Sequence, residues 1–173
     1  MQETPEDLER LSTLLDDSIK RAGAFLRSSF EMPEKSLSAR QLVTYLQGIQ
    51  TVAFATVTAA GEPRVAPIGS LFYRGAFYIP TVTTAARLRH IQRRPAVSLT
   101  YYQGNDLAVI VHGQASLLTS DDPTFATLEA LHRSFGSSSV NDWGDGAFIH
   151  VEAASIFTYA RFPEHFPERQ ACA

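Results

Sequence analysis

The hydrophobic period of this chain changes at residue 51, and that change limits the possible fold more than any other feature. Before it, Leu8, Leu11, Leu15, Ile19, Ala22 and Leu26 recur at helical spacing. After it the period is two. "TVAFATVT" (51–58), "RVAPIGSLFY" (64–73), "AFYIP" (76–80), "AVSLTYY" (96–102), "LAVIVHGQASLL" (107–118) and "AFIHVEAASIFTYARF" (147–162) read as strands. Gly61 with Pro63, Arg74–Gly75 and the "QGND" stretch (103–106) supply short turns between them. "VAFATV" and "LAVIV" have no clean polar side, as in strands that roll into a small barrel or are covered again by a partner. The pattern predicts a mainly β fold with flanking helices, its strands antiparallel and closed into a compact barrel.

The helical signals sit around this β region. Thr4 can cap a helix, Pro5 suits its first position and Asp7 stands three after the cap, so one helix is expected over 4–30. Pro33 interrupts the linker that follows. Ser38 and Gln41 form a second capping pair ahead of Leu42, Val43 and Leu46, and Gly48 ends that helix. A short helix is expected at 84–93, stopped by Pro95, and another from Asp122–Pro123 to about residue 135. The organisation read from this is an N-terminal helix and linker (1–36), a barrel domain (37–162) and a C-terminal tail (163–173).

Length and charge narrow the function classes. A chain of 173 residues can bury one good-sized core. A net charge of -3 does not imply general nucleic-acid affinity, so any anion site must be built from local arginines. No apolar run approaches the ~20 residues of a membrane span. The start, "MQETPEDLERL", is acidic and has no apolar h-region, and Cys172 has no disulfide partner. A cytoplasmic protein is expected.

One stretch points to chemistry: "YIPTVTTAARLRHIQRRP", residues 78–95. A strand ends in threonines and hands over to a short basic helix. A helix N-terminus carries unpaired N–H groups and a partial positive charge. Thr83 or Thr84 can cap the helix, Thr81 can add a hydroxyl, and Arg87 in the first turn can reach back over the terminus. These groups can bind a phosphate. The other reading makes Thr84 an ordinary cap and the arginines a solvated face, as expected for Arg89 and Arg93.

The order of elements over residues 61–102 resembles the FMN-binding split barrels related to pyridoxamine 5'-phosphate oxidase. The matching features are the Gly61–Pro63 turn, the strand Arg64–Tyr73, Thr81–Thr84, Arg87, and Pro95–Val97; Gly113 matches the glycine of the family's next strand. The resemblance spans about residues 38–160. It implies a six-stranded antiparallel split β-barrel, homodimeric, with two cofactor sites across the interface. It implies that Arg64, Val65, Ala66, Pro67 and Ile68 run beside an isoalloxazine ring, and that Thr81, Thr83, Thr84 and Arg87 bind the phosphate. Pro67 fits, because a strand facing a ligand need not donate its N–H to a ladder; a plain bulge or edge strand is the other account.

The activity implied is a flavin-dependent oxidoreductase with FMN as cofactor, a small-molecule substrate and NAD(P)H as a candidate donor. The departures speak against oxidation of pyridoxamine phosphate itself. Ala86 replaces the first of two basic residues in the phosphate helix, no lysine occurs between 64 and 74, and Arg161, His165 and Arg169 do not match the family's substrate motif. Related split barrels bind the deazaflavin F420 or haem. F420 is the alternative cofactor, with Arg64, Arg89, Arg93 and Arg94 available for its anionic tail, and a non-enzymatic flavin or haem module is the third reading.

No side chain stands out as acid, base or nucleophile, and no histidine pair has metal-ligand spacing, so no metal is expected. His112 reads as structural or interfacial, with a haem ligand as the alternative. His90 and His132 are expected at the surface and His150 half-buried. Trp143 is expected to pack on the barrel or cover a flat ring, and Phe162 and Phe166 to wrap over a partner subunit.

Overall fold

The computed structural model describes residues 2–166 and residue 168. Arg169 and Cys172 lie outside the described residues. Six strands close into one antiparallel barrel: β1 (Ile49–Val57), β2 (Pro63–Tyr73), β3 (Ala76–Val82), β4 (Ala96–Gln103), β5 (Leu107–Leu118) and β6 (Gly146–Ala160), in the order β1-β2-β3-β6-β5-β4. The period-two pattern sets which side chains enter it. Val52, Phe54, Phe77, Ile79, Leu99, Val109, Val111, Ile149 and Val151 fill the interior. The intervening residues of β1, Ala53 and Ala55, lie half-buried on the outer face.

The register is held by turns and by one bulge. Arg74 (φ 51°) and Gly75 (φ 82°) both take the left-handed conformation that a tight two-residue hairpin requires. The β5–β6 ladder shifts between His112 and Gly113. A Cβ on Gly113 would lie 2.1 Å from the Glu152 carbonyl oxygen, so only glycine allows the strands to approach this closely.

β1 pairs with β2 along the whole of β1, from Val57↔Pro63 to Ile49↔Leu71, but β2 meets β3 only from Leu71 to Tyr73. Residues 63–70 are therefore paired on one side alone, and the barrel is split there. Pro67, opposite Ala53, lies within this stretch.

Two helices from the N-terminal part of the chain pack on the barrel core. α1 (Pro5–Arg21) starts at Thr4 with the capping box read from the sequence: Asp7 N–H donates to Thr4 Oγ1 (3.2 Å) and Thr4 N–H to Asp7 Oδ2 (3.0 Å). Leu8, Leu11 and Leu15 join the barrel core, each contributing about 1.5–3 kcal/mol on full burial. α3 (Ala39–Tyr45) begins at the Ser38/Gln41 box and buries Leu42 and Val43, with Leu46 at its cap.

The single helix expected over 4–30 is broken. Ala22 is extended (ψ 136°), Gly23 likewise (ψ 155°), and α2 (Ala24–Ser29) starts afresh. The break places Ala22 in a small cluster with Met32 and Phe157. Gly23 costs a helix about 1 kcal/mol relative to Ala, so the chain yields there. A second correction concerns the helix expected from Asp122: α5 spans Phe125–Ser134, and Asp122 Oδ1 instead accepts the Thr124 N–H at 2.8 Å in the preceding turn.

Candidate functional site

β3 runs into α4 (Ala86–Arg93), whose apolar residues Leu88 and Ile91 seat it on the barrel core. The β3–α4 corner is where the sequence reading places a phosphate. Its threonines do not cap the helix: the N-cap is Ala85, with no side-chain hydrogen bond. Thr83 Oγ1 donates to Asp145 Oδ2 at 2.6 Å, and the Thr84 N–H donates to the same oxygen at 3.2 Å. The Thr83 hydroxyl first, and then the Thr84 amide, hold the Asp145 carboxyl below its usual range.

Arg87 makes no hydrogen bond or ion pair among the described residues. It lines, with Ala86 and His90 of α4, a cleft of about 350 Å³ whose opposite wall is Phe54 and Thr56 of β1 and Arg64, Val65, Ala66 and Ile68 of β2. The split in the barrel makes this cleft, since β2 has no strand beside it there. Arg64 is committed to Glu62 at 2.6 Å, with both side chains more than half exposed, so that pair holds it weakly.

Of the nine residues read as cofactor-binding, Arg64, Val65, Ala66, Ile68 and Arg87 line the cleft. Thr83 and Thr84 precede the α4 end of it. Pro67 alternates to the outer face and is exposed. Thr81 lies inside the barrel mouth, in step with Phe77 and Ile79; it is buried, and its hydroxyl has no partner.

Two residues of this region, Asp145 and Thr56, carry no signal in the sequence, and a third, His90, was expected at the surface. Thr56 is buried, and its Oγ1 lies 3.0 Å from His90 Nδ1. His90 is thus not a free surface histidine, being half-buried on the α4 face that lines the cleft. Its position three after Arg87, on the same side of the helix, is the only sequence signal for it.

The remaining aromatic and histidine readings separate. His132 is buried, not superficial; desolvation pushes its imidazole pKa down, and its Nδ1 has no partner. His150 is half-buried and stacks on Tyr78 (5.0 Å, 19°) at the floor of a larger hollow of about 750 Å³ under α1. That hollow holds a clasp in which Asp7 pairs with Arg10 (2.8 Å) and Arg74 (3.2 Å) and ties α1 to the β2–β3 hairpin. Trp143 meets His132 edge-on and donates from Nε1 to Ser138 Oγ. Phe166 packs on Tyr45 of its own chain, and Gln41 Nε2 donates to the Phe166 and Pro163 carbonyls, so this part of the tail docks on α3. His112 is exposed, with Nδ1 2.7 Å from Ser98 Oγ. Among the described residues no group of three potential ligands is placed to hold a metal ion, and no helix is long and apolar enough to cross a membrane.

A closed six-stranded barrel, split beside β2 and sealed by α4, defines the chain as a split-barrel protein. It belongs to the pyridoxamine 5'-phosphate oxidase family, whose model matches residues 38–159. No curated protein matches it. Among solved structures it is similar to an F420 reductase, with 20% identity over 65% of this chain and 93% of that one (TM-score 0.54). A conserved hypothetical protein of Mycobacterium tuberculosis covers more of the chain, with 13% identity over 82% of this chain and 96% of that one (TM-score 0.62). HutZ, the haem storage protein of Vibrio cholerae, shares 16% identity over 69% of this chain and 92% of that one (TM-score 0.57). Identities this low bear on the fold alone.

Proposed function

We propose that the chain binds FMN at the cleft between β2 and α4 and acts, as a homodimer, as an oxidoreductase on a small-molecule substrate, with NAD(P)H as donor. The observation that carries this reading is Arg87: a half-buried arginine on the cleft wall, in the first turn of α4, with no hydrogen bond or ion pair among the described residues. The donor set fits a phosphate. Family membership and the cleft beside β2 support it.

A bound flavin supplies the hydride chemistry. The chain's part is to grip and orient. Arg87 and the α4 N-terminus would take the phosphate, with Thr83 and Thr84 as further donors. The one-sided edge of β2 over 63–70 leaves backbone groups free of a second strand, available to a ring. The homodimer is supported by the outer face, where Val65 (66% exposed) and Tyr102 (65% exposed) flank the half-buried Ala53 and Ala55.

F420 is the second reading, favoured by the similarity to an F420 reductase and by Arg89 and Arg93, both exposed on the same helix. Purified protein, reconstituted separately with FMN, F420 and haem and freed of excess ligand, distinguishes these by its absorbance spectrum. A retained two-band flavin spectrum supports the first reading. A single deazaflavin band supports the second, and a Soret band alone overturns both. Oxidation of NAD(P)H by the flavin-loaded protein then separates an enzyme from a binding module.

A further inference from the structure

Asp145 occupies the corner that a phosphate would need. Its position is fixed by the backbone. The Thr83 N–H donates to the Asp145 carbonyl at 3.0 Å, which carries the β3–β6 ladder one residue past Val82↔Gly146. The glycines on either side hold the loop in place: Gly144 has φ 88°, and a Cβ on Gly146 would lie 2.0 Å from the Val140 carbonyl oxygen. The carboxylate is therefore delivered to the corner by the fold. There it takes the Thr83 hydroxyl at 2.6 Å and the Thr84 amide at 3.2 Å.

We infer that Asp145 is a specificity-determining residue of the cofactor site: it competes with the cofactor phosphate for Thr83 and Thr84, and so sets how strongly a phosphorylated flavin is preferred over an unphosphorylated one. This inference rests on the cofactor reading above. The physical basis is that one hydroxyl and one amide cannot serve two anions at once, and that a fixed carboxylate repels a phosphomonoester dianion at contact distance. Arg87, which makes no hydrogen bond or ion pair among the described residues, would offset part of that repulsion. A flavin without phosphate meets neither term.

FMN and riboflavin carry the same ring and differ by the phosphate, so they isolate the effect. Both are titrated by flavin fluorescence into the full chain, at one pH and one salt concentration, for the parent protein, Asp145→Ala, Asp145→Asn and Arg87→Ala. The Asn variant keeps the side-chain shape and an acceptor oxygen, which guards against a folding defect in the Ala variant. The expected result is a preference for FMN over riboflavin that rises about tenfold in Asp145→Ala, on the scale of one charge-assisted contact, and by less in Asp145→Asn, with riboflavin affinity unchanged. An unchanged preference in both Asp145 variants, alongside loss of FMN binding in Arg87→Ala, overturns the inference and leaves the cofactor reading standing. A fall in FMN affinity in both Asp145 variants also overturns it, since Asp145 would then organise the corner instead of competing for it. Absence of flavin binding in all four proteins overturns both.

Discussion

Thr56, buried inside the barrel, and His90, on the helix that closes it, are joined by a hydrogen bond of 3.0 Å between Oγ1 and Nδ1. It ties α4 to β1, directly beneath the cleft. In Thr56→Val the side chain keeps its volume and branching, and the hydroxyl is lost. His90 Nδ1 is then left without its partner, at a net cost of about 1 kcal/mol. Urea unfolding should show that loss, and hydrogen exchange should quicken in the amides of α4 before those of the barrel strands. Faster exchange spread evenly over β1 and α4 would mean that the bond does not position the helix.

The two arginines of α4 that bracket Leu88 make the sharpest comparison. Arg87 is half-buried on the cleft; Arg89 is exposed and away from it. Arg87→Ala should weaken FMN binding tenfold or more, since a hydrogen bond to a charged group contributes ~1.5–3 kcal/mol. Arg89→Ala should change it by less than about twofold, because an exposed charge near the site acts only through screened solvent. Equilibrium titration measures both. Similar losses in the two variants would assign binding to the general positive charge of α4 and not to a placed guanidinium.

Gly113 tests the barrel. A methyl group there meets the Glu152 carbonyl at 2.1 Å, a backbone atom that cannot swing aside. Gly113→Ala should cost about 1–3 kcal/mol in chemical denaturation, as for other forced insertions into packed structure. Gly23→Ala is the control: nothing lies within 4 Å of its added Cβ, and its φ is negative, so it should be neutral or stabilising.

What the sequence revealed was what is decided locally. The Thr4/Asp7 and Ser38/Gln41 boxes, the Arg74–Gly75 turn and the inward alternation of Val52, Phe54, Phe77 and Ile79 depend on neighbours a few positions away. The break at Ala22 is only partly so: Gly23 weakens the helix locally, but the cluster with Met32 and Phe157 that Ala22 joins is set by the tertiary fold. The same holds at the candidate site. Thr83 and Thr84 carry the local signature of helix caps, yet a carboxylate 62 and 61 positions away from them takes their hydrogen bonds, and only the β3–β6 register brings it there. His132 looked superficial because its helix is short and polar on one side. It is buried because Phe148 of β6 and Trp143 meet it edge-on.

That burial gives a pH dependence with a definite sign. Desolvation lowers the His132 pKa from 6.5; a backbone hydrogen bond at Ser138 and the Glu129 carboxylate, which is engaged by Ser139 and the Val140 N–H, act the other way without cancelling it. The folded protein thus holds His132 neutral at a pH where the unfolded chain already binds a proton. Stability from this group is fully present above about pH 6.5 and is lost as the pH falls through the lower folded pKa. His150, depressed by burial and opposed by Glu152 and Asp122, adds to the same window. Thermal midpoints should therefore decline from pH 7.5 toward pH 5, and His132→Phe, an aromatic without the titrating nitrogens, should flatten part of that slope. A parallel decline in the variant would place the proton uptake elsewhere, with His150→Phe as the next substitution to measure.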